Sequence, residues 1–300
     1  MSNRLLMTAI VLFVLVATHG GITAQTSDRV ELDVVVLDGH DNPVAGLRES
    51  DFQIREDGKP VAIHSFDEIG SADMPAPRIV ALILDDSGVP PNLTTRVQQI
   101  AQRFMARIAP GDRVDVVRLN NRTDEATADR AIATERIEQF RAGTTPLFGR
   151  ETIETALTKI VNLSKGFAQM EHRRKEIVAI GAPRTFDVSE PTEESSLIWD
   201  YWLNAVTSAS RANTNVYVVD PAGNTGRLTI QRKFGIVEKT GGESFYNSLD
   251  FDKAAARVWS DAGHYYLLGY TPPSVNKDLR DIEVTVSRTG ARVVARKMRG

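Results

Sequence analysis

A short polar group that follows a buried strand is the best candidate for chemistry in this chain. Asp85, Asp86 and Ser87 come directly after the apolar run Ile79–Leu84. An uninterrupted apolar run of this length indicates a strand that is buried on both faces of a parallel sheet. Open α/β sheets bind their ligands outside the carboxyl ends of such strands. The carboxylate and hydroxyl oxygens there favour a hard cation or a charged partner.

Enzymatic interpretations of these residues lack their remaining parts. A phosphatase of the haloacid dehalogenase type, with Asp85 as nucleophile, would carry a second Asp two residues later, where this chain has Ser87. A serine hydrolase built on Ser87 would need Gly-x-Ser-x-Gly, and Asp85 occupies the first glycine position. A dinucleotide site needs Gly-x-Gly-x-x-Gly after the strand, and none follows Leu84. We therefore expect a protein that is not an enzyme.

Composition narrows the class of partner. The chain has 300 residues and a formal net charge of -3, which gives no electrostatic footprint for nucleic acid. It has no cysteine, so disulfides, thiol nucleophiles and thiolate zinc sites are excluded. Its hydrophobic content of 42% is sufficient for a large core without such cross-links.

The first 24 residues have the pattern of a signal peptide. Arg4 provides the positive charge, residues 5–17 form the apolar region, and Ala24 is a small residue suited to cleavage. We expect export to the periplasm or the extracellular space, with an uncleaved N-terminal anchor as the alternative. The apolar run is shorter than the roughly 20 residues that a membrane span needs, and no later segment is longer.

Strands and helices alternate from residue 78 to residue 262. Apolar residues recur at helical spacing in several segments and are continuous in others. The predicted helices cover residues 94–108, 152–163, 197–212, 228–239 and 251–261, and the predicted strands cover residues 79–84, 114–119, 177–180, 216–220 and 243–246. This alternation predicts an α/β fold with a doubly wound, mostly parallel sheet and helices on both faces.

Shorter strands flank that core on both sides. Residues 27–74 and 263–300 are rich in strand patterns, with Asp57-Gly58 and Thr289-Gly290 as hairpin turns. Because chain termini often lie close together, we expect the two segments to pack as one small β domain.

In the order and spacing of these motifs, the chain resembles a von Willebrand factor type A (VWA) domain, within a group of secreted bacterial VWA-related proteins. The resemblance rests on strand–Asp-x-Ser at residues 79–87, on Gly143-Thr144-Thr145 before a helix, and on the strand–helix alternation that follows. The flanking residues 51–60, 265–270 and 279–284 also resemble that group. The resemblance covers residues 30–298 and implies a Rossmann-like core at 78–262.

The family carries a metal-ion-dependent adhesion site for Mg²⁺ or Mn²⁺, and the resemblance implies a degenerate version of it here. Asp85, Ser87 and Thr145 match three of the five ligand positions. Val89 stands at the second serine position, and Gly181-Ala182 stands where the family has an aspartate. We therefore expect no cofactor, with weak Mg²⁺ or Mn²⁺ binding as the alternative, in which Asp86 or Asp220 compensates. Without a metal, Asp85 and Ser87 would satisfy backbone N–H groups of the adjacent loop.

These expectations combine into one functional hypothesis. The chain would be an exported protein-binding module, of the adhesion or scaffold type, that recognises a protein partner at the carboxyl edge of its sheet. The candidate residues of that face are Asp86, Pro90, Phe148 and Asp220. Two alternatives stay open: metal-dependent binding in the same fold, or a structural role in an envelope assembly through the β segments or the helix that carries Trp199 and Trp202. The sequence identifies neither the partner nor the oligomeric state.

Overall fold

The fold is mixed α/β, with one parallel sheet that carries helices and two antiparallel sheets. The computed structural model describes residues 29–71, 76–121, 129–143, 149–170, 174–186, 188, 197–223, 235–246, 248–274 and 279–299. The predicted signal peptide lies outside these residues, as do Thr145 and Phe148.

The strands and helices follow one another along the chain with short connections. The first eleven are β1 (Val30–Leu37), β2 (Phe52–Glu56), β3 (Lys59–Val61), β4 (Ile63–Ile69), β5 (Ile79–Leu84), α1 (Thr94–Met105), β6 (Arg113–Arg118), α2 (Arg130–Gln139), α3 (Arg150–Ala168), β7 (Lys175–Ile180) and α4 (Pro183–Phe186). The remaining nine are α5 (Trp199–Arg211), β8 (Thr214–Val219), α6 (Ile236–Thr240), β9 (Ser244–Phe245), α7 (Phe251–Gly263), β10 (Tyr265–Tyr270), β11 (Arg280–Val286), β12 (Arg292–Val294) and β13 (Met298–Arg299).

The parallel sheet has the strand order β6-β5-β7-β8-β9. Strand β5 pairs with β6 on one side and with β7 on the other, and all six of its residues are buried. Its side chains alternate between two apolar clusters. Leu82 packs in the cluster that contains residues of α1, α2 and α7, and Ile83 in the cluster that contains residues of α3 and α5. Each such side chain contributes about 1.5–3 kcal/mol by its burial.

Most predicted elements of this sheet are present, with shifted ends. The helix predicted at residues 152–163 extends over Arg150–Ala168, and the strand predicted at residues 177–180 begins at Lys175. Helix α2 was not predicted, because only Ala133 and Ile137 of its ten residues are buried and so give little periodicity. Part of the helix predicted at residues 228–239 lies outside the described residues, and its described part is α6.

The strands before and after this sheet pair with each other. Strand β1 pairs antiparallel with β10, which also pairs with β4, in a sheet of order β12-β1-β10-β4. The second antiparallel sheet has the order β13-β11-β2-β3. One apolar cluster joins the two sheets, with Val34, Ile54 and Tyr266 among its buried members.

The two predicted hairpin turns have different outcomes. Strands β2 and β3 form the hairpin at Asp57-Gly58, where both residues have positive φ values, 49° and 75°. Such values are typical of a two-residue type I′ turn. The hairpin predicted at Thr289-Gly290 is wrong, because β11 pairs with β2 and β13 whereas β12 pairs with β1 in the other sheet. None of the helices in the described part of the chain is both long and apolar enough to cross a membrane.

Candidate functional site

The order of the parallel strands reverses direction at β5. The chain moves from β5 to its neighbour β6 on one side, and its next strand, β7, pairs with β5 on the other side. In open α/β sheets a crevice forms at the carboxyl ends of the two strands that flank such a reversal, and ligands bind there. Here those ends carry Asp85 after β5 and Gly181 after β7.

The Asp85 carboxylate is fully buried and is held by the main chain of two loops. Its Oδ1 accepts hydrogen bonds from the amides of Ser87 at 3.1 Å and Gly88 at 2.6 Å. Its Oδ2 accepts one from the amide of Ala182, beyond β7, at 3.1 Å. A carboxylate offers about four acceptor positions, so main-chain amides use most of those that Asp85 has.

Asp86 and Ser87 turn toward β6 instead. The Asp86 Oδ1 accepts a hydrogen bond from the main-chain amide of Asn120 at 2.9 Å. The side-chain amide of the same Asn120 donates to the hydroxyl of Ser87. One asparagine that follows β6 therefore engages both polar residues that follow Asp85, and it ties the loop after β5 to the loop after β6.

Two glycines allow this close approach of the loops. A Cβ placed on Gly181 would lie 2.5 Å from the Asp85 Cβ and 2.6 Å from Cε2 of Phe186. A Cβ placed on Gly88 would lie 2.7 Å from both the Asp85 Oδ2 and the hydroxyl oxygen of Thr185. Neither glycine position has room for a larger side chain while Asp85 keeps this conformation.

Burial shifts the ionisation of both adjacent carboxyl groups. Desolvation raises the pKa of Asp85 above its usual range, against the opposing effect of the amides of Gly88, Ala182 and Ser87. Desolvation also raises the pKa of Asp86, against the effect of the Asn120 amide. The negative charge at this edge is thus accommodated by main-chain dipoles in a poorly hydrated environment.

Asp220 organises the neighbouring loop after β8. Its Oδ1 accepts a hydrogen bond from the amide of Ala222 at 2.9 Å. Arg96 of α1 donates to the carbonyl oxygens of Pro221 and Ala222, at 3.2 and 3.4 Å. The loop after β8 is therefore fixed both by its own aspartate and by a cation from the helix that follows β5.

A cleft of about 460 Å³ opens between these loops, and we call it the switch-point cleft. Its apolar lining includes Pro90, Leu93, Ile153, Pro183 and Pro221. Pro90 and Asp220, two of the predicted binding-face residues, both line it, and so does Ser87. A volume of this size and a mostly apolar wall with a few polar groups are typical of a recognition site.

Several polar residues of the cleft were missed by sequence reasoning. Thr152, Arg184 and Thr185 line it together with Ser87 and Asp220. Thr152 lies in the first turn of α3, and the other two lie in α4, directly after Gly181. Their position after a glycine or at a helix start beyond a buried strand was the available signal, because those are the positions that meet at the carboxyl edge.

The described ligands do not fit a Mg²⁺ or Mn²⁺ ion. Octahedral coordination needs several free oxygens at one point, yet the Asp85 oxygens accept three amides and the Ser87 hydroxyl accepts from Asn120. Val89, at the second serine position, is 2% exposed and packs into the core with Val97. Within the described ranges no group of three His, Asp or Glu side chains is arranged to hold a metal.

The helix with Trp199 and Trp202 lies away from the candidate site. Trp202 is fully buried in the apolar cluster that contains residues of α3 and α5, and its ring stacks on that of Trp199 with centroids 5.8 Å apart. Tyr201 of the same helix is 41% exposed. One aromatic residue of this helix therefore belongs to the core, and another faces the surface.

Comparison with known proteins gives no family. No family model and no curated protein matches the chain. Among solved structures, the chain is similar to the minor pilin PilB of Streptococcus sanguinis, with a TM-score of 0.38 and 10% sequence identity. The similarity covers 64% of this chain and 63% of that chain.

Proposed function

We propose that this chain is an exported, non-enzymatic protein-binding module of the VWA type, whose partner binds in the switch-point cleft without a metal ion. The observation that carries the proposal is the bonding of Asp85. Its oxygens accept three main-chain amides from the loops after β5 and β7, so this carboxylate fixes the binding loops rather than coordinating an ion.

The strand order supports the VWA-type, doubly wound part of the proposal. Counted along the chain within the parallel sheet, the order is 2-1-3-4-5, which is one of the two common doubly wound orders. The two apolar clusters contain residues of helices on opposite sides of β5. In this arrangement the first strand lies in the interior of the sheet, and the residues that follow it lie at the point where ligands bind.

The shape of the cleft supports a protein partner. Pro90 is exposed, and Ile153 and Leu93 are half-buried, so an apolar rim is accessible around a floor that carries Ser87 and Asp220. Apolar anchors inserted into such depressions supply much of the affinity in protein–protein interfaces. The rigid hydrogen bonds of Asp85 and Arg96 hold the loops in place, which lowers the entropic cost of binding.

Capture from an envelope extract with matched variants tests the proposal. Ala222 lines the cleft and is half-buried, so Ala222→Arg fills the cleft without removing a side-chain bond. Ala106, exposed at the end of α1, provides the control Ala106→Arg. We expect the wild type and Ala106→Arg to retain the same protein and Ala222→Arg to lose it, with unchanged circular dichroism. Equal retention by both variants would show that the partner binds another surface.

A further inference from the structure

We infer that the N-terminal end of α3 binds an oxyanion of the partner, a carboxylate or a phosphate group, directly in the switch-point cleft. This inference rests on the proposed function, because it specifies the chemistry of the group that enters the same cleft. It is carried by the start of α3, by the environment of Thr152 and by the position of Arg184.

Helix α3 begins at the cleft without a side-chain cap. Its N-cap residue is Gly149, which lines the cleft, has a φ of 64° and has no side chain with which to cap the helix. The first amides of a helix have no acceptor within the helix. In a helix of nineteen residues they also form the positive end of the helix dipole, so an anion is stabilised there.

Thr152 provides the second, independent observation. It is the third residue of α3, it lines the cleft and it is only 5% exposed. Its hydroxyl oxygen is buried and makes no hydrogen bond to any part of the chain that the structure describes. A buried hydroxyl without a partner costs free energy, and a ligand oxygen that accepts its proton would remove that cost.

Arg184 supplies a positive charge on the other wall of the cleft. It belongs to α4, it is exposed, and it lines the same cleft as Thr152 and Gly149. A guanidinium group binds carboxylates and phosphates through two parallel hydrogen bonds. The neighbouring hydroxyl of Thr185 adds a further donor on that wall.

The acidic residues of the cleft are already bonded to amides. Asp85 is fully buried and accepts three main-chain hydrogen bonds, and Asp220 is 1% exposed and accepts the amide of Ala222. Their charges are therefore directed toward the loops that they fix. The groups that remain for a ligand on the α3 and α4 walls are hydrogen-bond donors and a cation, which suit an anion.

Amide chemical shifts of the whole chain, titrated with inorganic phosphate and separately with acetate, test this inference. We expect one of the two anions to shift the amides of Gly149, Arg150 and Thr152. Acetate alone would identify a carboxylate as the ligand group, and phosphate alone would identify a phosphate group. Thr152→Val keeps the shape of the side chain and removes the hydroxyl, and we expect it to weaken anion binding about tenfold, the effect of one charge-assisted hydrogen bond.

Two further variants complete the design. Arg184→Gln should weaken anion binding and reduce its dependence on salt, whereas Arg288→Gln, at an exposed position in the loop after β11, should leave binding unchanged. Absence of shifts at the start of α3 with both anions, or equal affinity of Thr152→Val and wild type, would overturn the inference. Those outcomes are separate from the proposed function, which fails only if Ala222→Arg still captures the partner.

Discussion

The Oδ2 atom of Asp85 and the amide nitrogen of Ala182 are 3.1 Å apart and join the two loops that flank the reversal of strand order. These residues are far apart in the chain, and each follows a strand of the same parallel pair. The hydrogen bond closes the gap in which a ligand would otherwise meet the ends of both strands. Asp85 thus determines the shape of the switch-point cleft from beneath it.

Removal of this carboxylate should destabilise the protein. We expect Asp85→Ala to lower the free energy of unfolding by about 2–3 kcal/mol, because three amides lose a charged acceptor and part of that loss is recovered by water. Urea denaturation of both proteins measures the difference.

Asp86→Ala is the matched control for Asp85→Ala. Asp86 accepts a hydrogen bond from the Asn120 amide, so its removal should cost only about 1 kcal/mol. If the two variants were equally stable, Asp85 would have no special role in fixing the loops.

Gly181→Ala should also lower stability, because its Cβ would overlap the Asp85 side chain and the ring of Phe186. We expect a cost of about 1–3 kcal/mol, typical of overpacking in a rigid site. Gly166→Ala in α3 is the control, since nothing lies within 4 Å of its added Cβ and alanine favours a helix. The melting temperature should fall for the first variant and stay or rise for the second; the opposite order would contradict the close approach at Asp85.

The buried carboxyl of Asp261 should make stability depend on pH. It lies 3.3 Å from the hydroxyl of Tyr217 and 3.2 Å from Arg257, and its burial raises its pKa to about 6. The pKa of an unfolded Asp is about 4. The folded state therefore binds this proton more tightly, so the stabilisation is complete below about pH 4 and is lost as the pH rises through 6.

Denaturation curves between pH 4 and pH 7 measure this effect. We expect the free energy of unfolding to fall by up to about 3 kcal/mol over that range in the wild type. Asp261→Asn removes the titrating group and should make the decline smaller. An unchanged decline in that variant would assign the pH dependence to other groups.

The sequence predicted the elements whose pattern is local. The continuous apolar run of β5, the helical spacing of α1 and the Asp57-Gly58 turn each depend on neighbouring residues, and all three elements are present. The position of Asp85 and Asp220 at the carboxyl edge followed from the same strands.

The remaining features depend on contacts between distant segments. The partners of β11 and β12 lie more than two hundred residues away, so the Thr289-Gly290 turn did not reveal that these strands enter different sheets. Likewise Asn120 binds Ser87, and Gly181 receives the Asp85 side chain, only because three strands meet in one sheet. Spacing along the chain contains no information on these approaches.

Partner affinity with and without a divalent cation tests the central claim most directly. The protein that the wild type retains and Ala222→Arg loses should be titrated against the wild-type chain in EDTA and then in millimolar Mg²⁺ or Mn²⁺. Because Asp85 and Ser87 are engaged by the chain itself, we expect the same affinity in all three solutions. Binding that disappears in EDTA and returns with either ion would contradict a metal-independent site.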